Sequence, residues 1–526
     1  MERFFNTAGP VKCDIHYCLP PLERWDLEEI LSLIQQQKYF VLHAPRQTGK
    51  TSCLLALMEY LNAEGRYRAL YVNVEKGQAA RENVDAAMRA ITGEIANQAR
   101  VILRNNLLSG IFAEILNQHG GEGALGTLLN EWASQDSMPS VILLDEVDSL
   151  IGDTLISLLR QIRSGYTNRP AHFPQCIILC GVRDVRDYRI HSASEKSVIT
   201  GGSAFNIKAE SLRLGDFSFT EVQELLGCHT DETGQVFTRE AKKALWHLSE
   251  GQPWLVNALA YETCFRMKEY SDRSVEVDEQ AVLQAKENLI LRRETHIDQL
   301  ADKLREKRVQ EVIEPLITGT PHPSDLKEDD LQYVTDLGLV KRKPQVRVSN
   351  PIYLEVIPRM LTSTTQDTLP YQTSWYVAED GRLQLHQLLS AFQEFFREHS
   401  EHWVERFQYQ EAGPQLLLQA FLQRVVNSGG RVEREYGLGR MRTDLLVIWP
   451  IPDGIQRAVI ELKVKHKSLE KTISDGLTQT AAYMDRCATA EGNLVIFDRD
   501  EGRTWDEKVF TEKHTFEGTE ICVWGM

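Results

Sequence analysis

His43-Ala44-Pro45-Arg46-Gln47-Thr48-Gly49-Lys50-Thr51 is entered by the apolar run Tyr39-Phe40-Val41-Leu42 and left by Ser52-Cys53-Leu54-Leu55-Ala56-Leu57-Met58. A strand-like run, a short loop and a helix-like run form the setting that a phosphate-binding loop needs. Gly49 lets the backbone approach an anion closely, and the first N–H groups of the following helix face it. Lys50 supplies a point charge for β- and γ-phosphates, and Thr51 offers a hydroxyl to Mg²⁺. Ala44, Pro45, Arg46, Gln47, Thr48, Gly49, Lys50 and Thr51 are therefore the candidate ATP-binding loop, with Ala44 where the pattern's first glycine usually stands.

Downstream, Ala69 to Val74 reads as a short buried strand, followed by a helical region from about Arg81 to Leu108 and a second helix from about Gly123 to Ser134. Val141-Ile142-Leu143-Leu144-Asp145-Glu146-Val147-Asp148 then sets two acids at the end of an apolar strand. There Asp145 would hold Mg²⁺ through water, and Glu146 would orient and deprotonate the attacking water. Gln175 to Gly181 is the next strand. Strands alternating with helices imply an α/β fold with a parallel sheet covered on both faces.

From Phe217 to Arg293 the pattern is helical, beginning with a capping-box start at Phe219-Thr220-Glu221. Within it, Ser249-Glu250-Gly251-Gln252-Pro253-Trp254-Leu255-Val256-Asn257 resembles the Gly-x-Pro element in the helical lid of AAA+-related ATPases of the origin-recognition and STAND type. With Ala44 to Thr51 and Leu143 to Glu146, that resemblance covers about the first 290 residues, and alanine at position 44 is a common variant among P-loop ATPases. It implies an ATP-binding core, a helical lid and a winged helix next. It also implies that Tyr17 to Arg24, stiffened by Pro20-Pro21, forms either the edge that packs on the adenine or a plain N-terminal strap. Arg183 is the nearest candidate for a sensor of the γ-phosphate; an ion pair with Asp184 or Asp187 is the alternative. No arginine finger is assignable, and Arg160, Arg163 and Arg169 are candidates only by proximity to the second motif. The expected winged helix runs from Val309 to Met360, with a turn at Gly319-Thr320-Pro321. Its Lys341, Arg342, Lys343 and Arg347 would either meet DNA backbone or pack with the module on the lid. Ser363 to Ser374, rich in Thr, Ser, Gln and Pro, reads as a linker.

A second pattern lies beyond the linker. Two amphipathic helical runs, Leu383 to Arg397 and from Gln415 onward, precede three strand signals at Arg431 to Tyr436, Thr443 to Trp449 and Ala458 to Val464. Alternation along a strand puts Glu461 and Lys463 on one face, and Asp444 on the neighbouring strand can converge with Glu461 on one hard cation. Mg²⁺ held there would polarise a phosphodiester, and Lys463 would position the attacking water or stabilise developing charge. Gln479 and Tyr483, four apart, share a helix face. Asp, Glu-x-Lys and Gln-x-x-x-Tyr in that order resemble the RecB-type branch of the PD-(D/E)XK nucleases, over about Glu401 to Met526. That resemblance implies a restriction-endonuclease-like α/β domain, Asp444 and Glu461 as metal ligands, and a helix carrying Gln479 and Tyr483 at the site's border. It also calls for a first-helix glutamate, for which Glu411 is best placed.

The bulk composition is compatible with this reading. A chain of 526 residues should hold about three or four domains. We expect 1–210 to be the ATPase core, 211–295 the lid, 296–362 the winged-helix-like domain, 363–400 a linker with connecting helix, and 401–526 the nuclease-like domain. The balance of 59 basic against 75 acidic residues gives −16, so nucleic-acid contact would need a local basic patch. No apolar run approaches the roughly 18 residues of a membrane helix, and no basic leader precedes an apolar stretch at the start. Nine scattered cysteines without a Cys-x-x-Cys pair read as thiols of a reducing compartment, with neither zinc nor disulfide grammar. The expected protein is cytoplasmic, with no membrane association and with homo-oligomerisation open. It binds and hydrolyses ATP with Mg²⁺ and controls a nuclease-like domain acting on nucleic acid, DNA more than RNA, as in bacterial defence or mobile-element proteins. The alternatives are a signalling switch whose nuclease-like domain only binds a partner, and a DNA-binding ATPase that does not cut.

Overall fold

The structure, a computed structural model, describes residues 2–184, 189–192, 197–200, 206–292, 300, 302–318, 327–361, 376–378, 380–404, 413–426, 430–437, 442–452, 454–465, 468–498, 500 and 502–526. The expected linker 363–374, the turn at 319–321, Asp187 and Glu411 lie outside the described residues. The chain divides into two compact units. The first holds Met1–Arg292 with Gln332–Gln345 and Ser349–Pro351; the second holds Arg293–Leu331, Val346–Val348 and Ile352–Met526.

The first unit is built on a parallel sheet of β1 (Tyr39–His43), β2 (Arg68–Asn73), β3 (Ser140–Asp145), β4 (Cys176–Gly181) and β5 (Lys208–Arg213), in the order β2-β3-β4-β1-β5 among the described residues. Every residue of β3 and β4 is buried. A sheet covered on both faces accounts for their unbroken apolar runs, which lack the alternation of a half-exposed strand. Side chains of β1 alternate between two cores: Tyr39 and Val41 face one, Phe40 and Leu42 the other. The first is closed by α3 (Val84–Ile102), α4 (Leu107–Gln135) and α5 (Gly152–Ser164). The second is closed by α1 (Leu27–Gln35) and α2 (Lys50–Glu64). Where the sequence suggested one helix to Leu108, the first ends at Ile102 and the second starts at Leu107. Gly120, at φ 62°, kinks α4 where Gly121 packs on Asp85.

Four helices follow: α6 (Phe219–Thr233), α7 (Arg239–Ser249), α8 (Pro253–Tyr261) and α9 (Glu279–Arg292). The capping-box start expected at Phe219-Thr220-Glu221 is present, with Ser218 as the N-cap and Glu221 as its partner at the start of α6. At the chain's N-terminal end, Phe4–Phe5 pairs in parallel with His16–Tyr17. The turn between them brings Cys13 and Cys18 into a disulfide with Cα atoms 5.5 Å apart. This corrects the expectation of free thiols throughout: the pair is made by the local reversal of the chain and carries no recognisable spacing motif.

The second unit contains a mixed sheet of β6 (Arg431–Gly437), β7 (Arg442–Ile451), β8 (Gly454–Val464), β9 (Glu491–Phe497), β10 (Phe510–Phe516) and β11 (Thr519–Gly525), ordered β6-β7-β8-β9-β11-β10 among the described residues. Leu445, Val447, Ile460 and Leu462 face a core shared with Leu388, Phe392, Leu418 and Leu422, on the two helices Leu385–Val404 and Gly413–Val426. Leu446, Ile448, Val459 and Leu494 face the opposite core, shared with Leu477, Tyr483 and Met484 of α10 (Leu469–Arg486). Among the described residues, no helix is long and apolar enough to cross a membrane.

Candidate functional site

In the first unit, β1 delivers the chain into a loop whose backbone is bent at Gln47 (φ 58°) and Gly49 (φ 97°). The loop closes on itself through the Thr48 hydroxyl, which donates to the Pro45 carbonyl at 2.9 Å. Lys50 opens α2 and is buried, its Nζ donating to the carbonyls of Ala44 and Pro45 at 3.0 Å each. Arg46 and Gln47 are exposed, and Gln47 lines a cavity beside the loop. Such a loop, with an ammonium at its centre and a helix N-terminus behind it, favours a polyphosphate on both charge and geometry.

Thr51 meets the second motif directly, its hydroxyl donating to Asp145 Oδ2 at 2.7 Å. Asp145 is fully buried at the end of β3, and its Oδ1 accepts the N–H of Glu146 at 2.9 Å. A hydroxyl beside a buried carboxylate is a hard oxygen set that fits Mg²⁺. Glu146 sits in the left-handed region at φ 58°. Burial, then the charges of Asp145 and Asp148, raise its pKa, the direction useful to a group that must accept a proton. Arg183 follows β4, but its guanidinium faces Asp336 Oδ2 at 3.5 Å and lies 4.9 Å over the ring of Tyr333. The partner is thus a residue 153 positions away, on the segment expected to belong to the winged helix. Arg169 stacks on Tyr166 and donates to the carbonyls of Tyr166 and Gln37, while Arg160 and Arg163 are exposed on α5. Lys341 of the expected basic wing binds the Glu250 carbonyl at 3.0 Å and Asp216 at 3.2 Å, so this lysine is turned to the lid.

The cavity that Gln47 lines opens beside the loop. It is lined by Tyr17, Leu19 and Arg24 of the N-terminal segment, Thr48 and Gly49 of the loop, and Pro253 and Trp254 of the lid's Gly-x-Pro element. Arg24 ties the three parts together: it donates to the Thr48 carbonyl and, at 2.8 Å, to that of Gly215, and its guanidinium lies 4.5 Å over the Phe217 ring. Sequence reasoning gave Arg24 no such link to the loop. It also passed over Tyr71, whose hydroxyl donates to Asp145 Oδ2 at 2.9 Å. The available signal was a lone phenol between the buried Leu70 and Val72.

In the second unit, β7 and β8 run antiparallel with Leu445 opposite Ile460, and one further step places Asp444 opposite Glu461. Parity puts Asp444, Glu461 and Lys463 on the face covered by α10. The N–H of Leu462 donates to Asp444 Oδ2 at 2.8 Å, pinning that carboxylate to the neighbouring strand. Lys463 Nζ donates to Glu461 Oε1 at 2.5 Å, whereas the buried Glu461 Oε2 has no hydrogen-bond partner. Burial first, and Asp444 second, push the Glu461 carboxyl up to about 7 against the opposing pull of Lys463. An orphaned buried carboxylate oxygen beside a second carboxylate fits a hard divalent cation. Among the described residues no group of three or more His, Cys, Asp or Glu is placed to hold a metal ion, so an ion here would need water and phosphate oxygens besides Asp444 and Glu461. On α10, Gln479 is exposed, while Tyr483 is buried in the core with Leu446 and Ile448. The structure therefore gathers Asp444, Glu461 and Lys463, and it sets Gln479 and Tyr483 in different surroundings.

The family model described as "AAA domain" matches residues 33–188. No curated protein matches the chain. Among solved structures, the Walker-type ATPase of Pyrococcus abyssi is 14% identical with a TM-score of 0.43, over 67% of this chain and 99% of that one. Cdc6p from Pyrobaculum aerophilum is 13% identical with a TM-score of 0.37, over 67% and 96%. The RuvB Holliday junction branch migration motor of Thermotoga maritima is 13% identical with a TM-score of 0.32, over 62% and 93%. The stretch 33–188, which carries both the loop around Lys50 and the Asp145-Glu146 pair, is an AAA-type P-loop ATPase domain.

Proposed function

We propose that the protein binds and hydrolyses ATP with Mg²⁺, and that its nucleotide state controls a metal-dependent nuclease-like domain acting on nucleic acid, DNA more than RNA. For the ATPase part, Lys50 and the loop hold the phosphates, Thr51 and Asp145 hold Mg²⁺, and Glu146 takes a proton from the attacking water. For the second part, the carrying observation is the orphaned Glu461 Oε2, buried beside Asp444 and Lys463. When bound there, Mg²⁺ would act as a Lewis acid on a phosphodiester oxygen. Asp444 and Glu461 would hold it, and Lys463, released from Glu461 Oε1, would steer the water or the developing negative charge. The order Asp444, Glu461-x-Lys463 in the sequence, which resembles that of PD-(D/E)XK nucleases, supports this assignment, as does the pairing of the two strands that carry it.

The test is a cleavage assay on duplex DNA, single-stranded DNA and RNA, with and without ATP, in Mg²⁺ or Mn²⁺. Wild type is expected to cut in the presence of ATP; Lys463→Ala should turn over ATP and cut nothing, and Lys50→Ala should do neither. A wild-type protein that cuts none of the three substrates sinks the nuclease part and leaves the ATPase part standing. The second reading, an ATP-dependent switch whose C-terminal domain only binds a partner, is favoured by the direct Lys463–Glu461 pair, which satisfies one metal-facing oxygen internally. Cleavage-dead wild type with slow, nucleic-acid-insensitive ATP turnover is its signature.

A further inference from the structure

Asp145 Oδ2 accepts two hydroxyls that arrive from different elements. Thr51, at the start of α2, donates at 2.7 Å, and Tyr71, on β2, donates at 2.9 Å. The strand register explains why Tyr71 reaches: β2 and β3 are parallel neighbours with Tyr71 beside Leu143 and Asn73 beside Asp145. A phenol is long enough to span the two-residue offset, where a serine or threonine at the same position is not. Asp145 has no solvent exposure, so its orientation is set wholly by such partners. The Thr51 hydroxyl belongs to the phosphate-binding loop's own chemistry. Tyr71 belongs to none of the motifs and comes from the sheet's edge strand.

We propose that Tyr71 is a positioning residue for the metal-binding carboxylate: it fixes the Asp145 rotamer so that the Thr51–Asp145 pair is preset for Mg²⁺ accompanying ATP. The proposal rests on the ATPase reading of the first unit. Thr51 coordinates through its oxygen and keeps its hydrogen for Asp145, and Tyr71 holds the same carboxylate oxygen from the other side. Removing that second donor leaves Asp145 held only by the Thr51 hydroxyl at Oδ2 and the Glu146 N–H at Oδ1 among the bonds described above, a looser hold on its alignment with Thr51. Partners of this kind behind a metal ligand typically contribute about 10–100-fold in metal affinity.

Tyr71→Phe keeps the ring and removes only the donor. A fluorescent ATP analogue is titrated into full-length wild type and Tyr71→Phe, once with Mg²⁺ and once with EDTA, and Mn²⁺ binding to the nucleotide complex is read directly by electron paramagnetic resonance. In EDTA the two proteins are expected to bind alike. With metal, the affinity gained by wild type should shrink about tenfold in Tyr71→Phe, with matching loss of bound Mn²⁺. An unchanged metal increment overturns the proposal, as does an equal loss in EDTA and Mg²⁺, which would mark Tyr71 as a packing residue. Wild type that binds no nucleotide in either buffer overturns the ATPase reading and this proposal with it, an outcome separate from failure of the variant alone.

Discussion

Arg183 and Asp336 lie 3.5 Å apart though 153 residues separate them, and Asp336 is wholly buried. The arginine follows the strand between those of the phosphate-binding loop and Asp145. Gly338, two residues past Asp336, packs on Pro45 of that loop. A segment expected to serve a separate winged-helix module thus lies on the rim of the nucleotide site.

Removing one partner of a buried pair leaves the other charge uncompensated. Asp336→Ala is expected to cost about 3 kcal/mol in stability of the first unit, read as a lowered denaturant midpoint. Arg183→Met keeps much of the packing on Tyr333 but strands the more deeply buried Asp336, so it should cost at least as much. The double variant should recover part of the loss; strictly additive effects would show that packing rather than charge dominates the contact.

Loss of Lys50 removes the ammonium that the loop's carbonyls hold at its centre. Lys50→Ala is expected to weaken ATP at least tenfold, about 1.4 kcal/mol, in a calorimetric titration, with little change in the thermal unfolding of the metal-free, nucleotide-free protein. Wild-type affinity in this variant would remove the loop from nucleotide binding.

The Glu461 carboxyl, raised to about 7 by burial and Asp444, gives stability a definite sign against pH. Between the ordinary glutamate value and about 7 the native state holds the proton that the unfolded chain has already released, so native stability falls as pH rises through that window. Amide exchange along β8 should therefore quicken from pH 5 to pH 8 beyond its intrinsic rate increase, and Glu461→Gln should flatten that trend. Added Mg²⁺ should protect wild type more at pH 8 than at pH 5.5, because the ion competes with the proton for the same oxygen.

Gly251 has φ 78°, and a Cβ there would lie 1.9 Å from the Phe217 carbonyl oxygen, which belongs to backbone and has no rotamer to escape into. Gly251→Ala is expected to cost about 3 kcal/mol and to loosen the wall of the cavity formed by Phe217 and Pro253. Comparing its thermal unfolding with Gly234→Ala, where φ is 79° and nothing lies within 4 Å, separates the clash from the backbone strain.

Much of the first unit was legible because its signals are local. The apolar run before His43, the Gly49-Lys50-Thr51 turn and the acids after Leu144 each state a strand, a loop or a strand end within ten residues. The capping-box start near Phe219 was equally readable. Arg24 and Tyr71 were not, because each acts through a contact made across the fold, with Thr48 and Asp145 respectively. The Arg183–Asp336 pair was hidden for the same reason. In the second unit the alternation of Glu461 and Lys463 pointed to a shared face, and the burial of Tyr483 against Leu446 and Ile448 is a packing outcome that four-residue spacing alone does not specify.

The alternation along β8 carries a consequence for how this chain can change. Glu461 and Lys463 face α10, while Ile460 and Leu462 face the core of Leu388, Phe392 and Leu418. Sliding β8 by a single position against β7 would exchange the two sets, driving both charges into hydrocarbon and turning two apolar side chains toward the carboxylate of Asp444. The C-terminal site is thus inherited as a pairing register as much as a set of residues. Insertions or deletions of one residue within either strand would be far less tolerated than most point substitutions there.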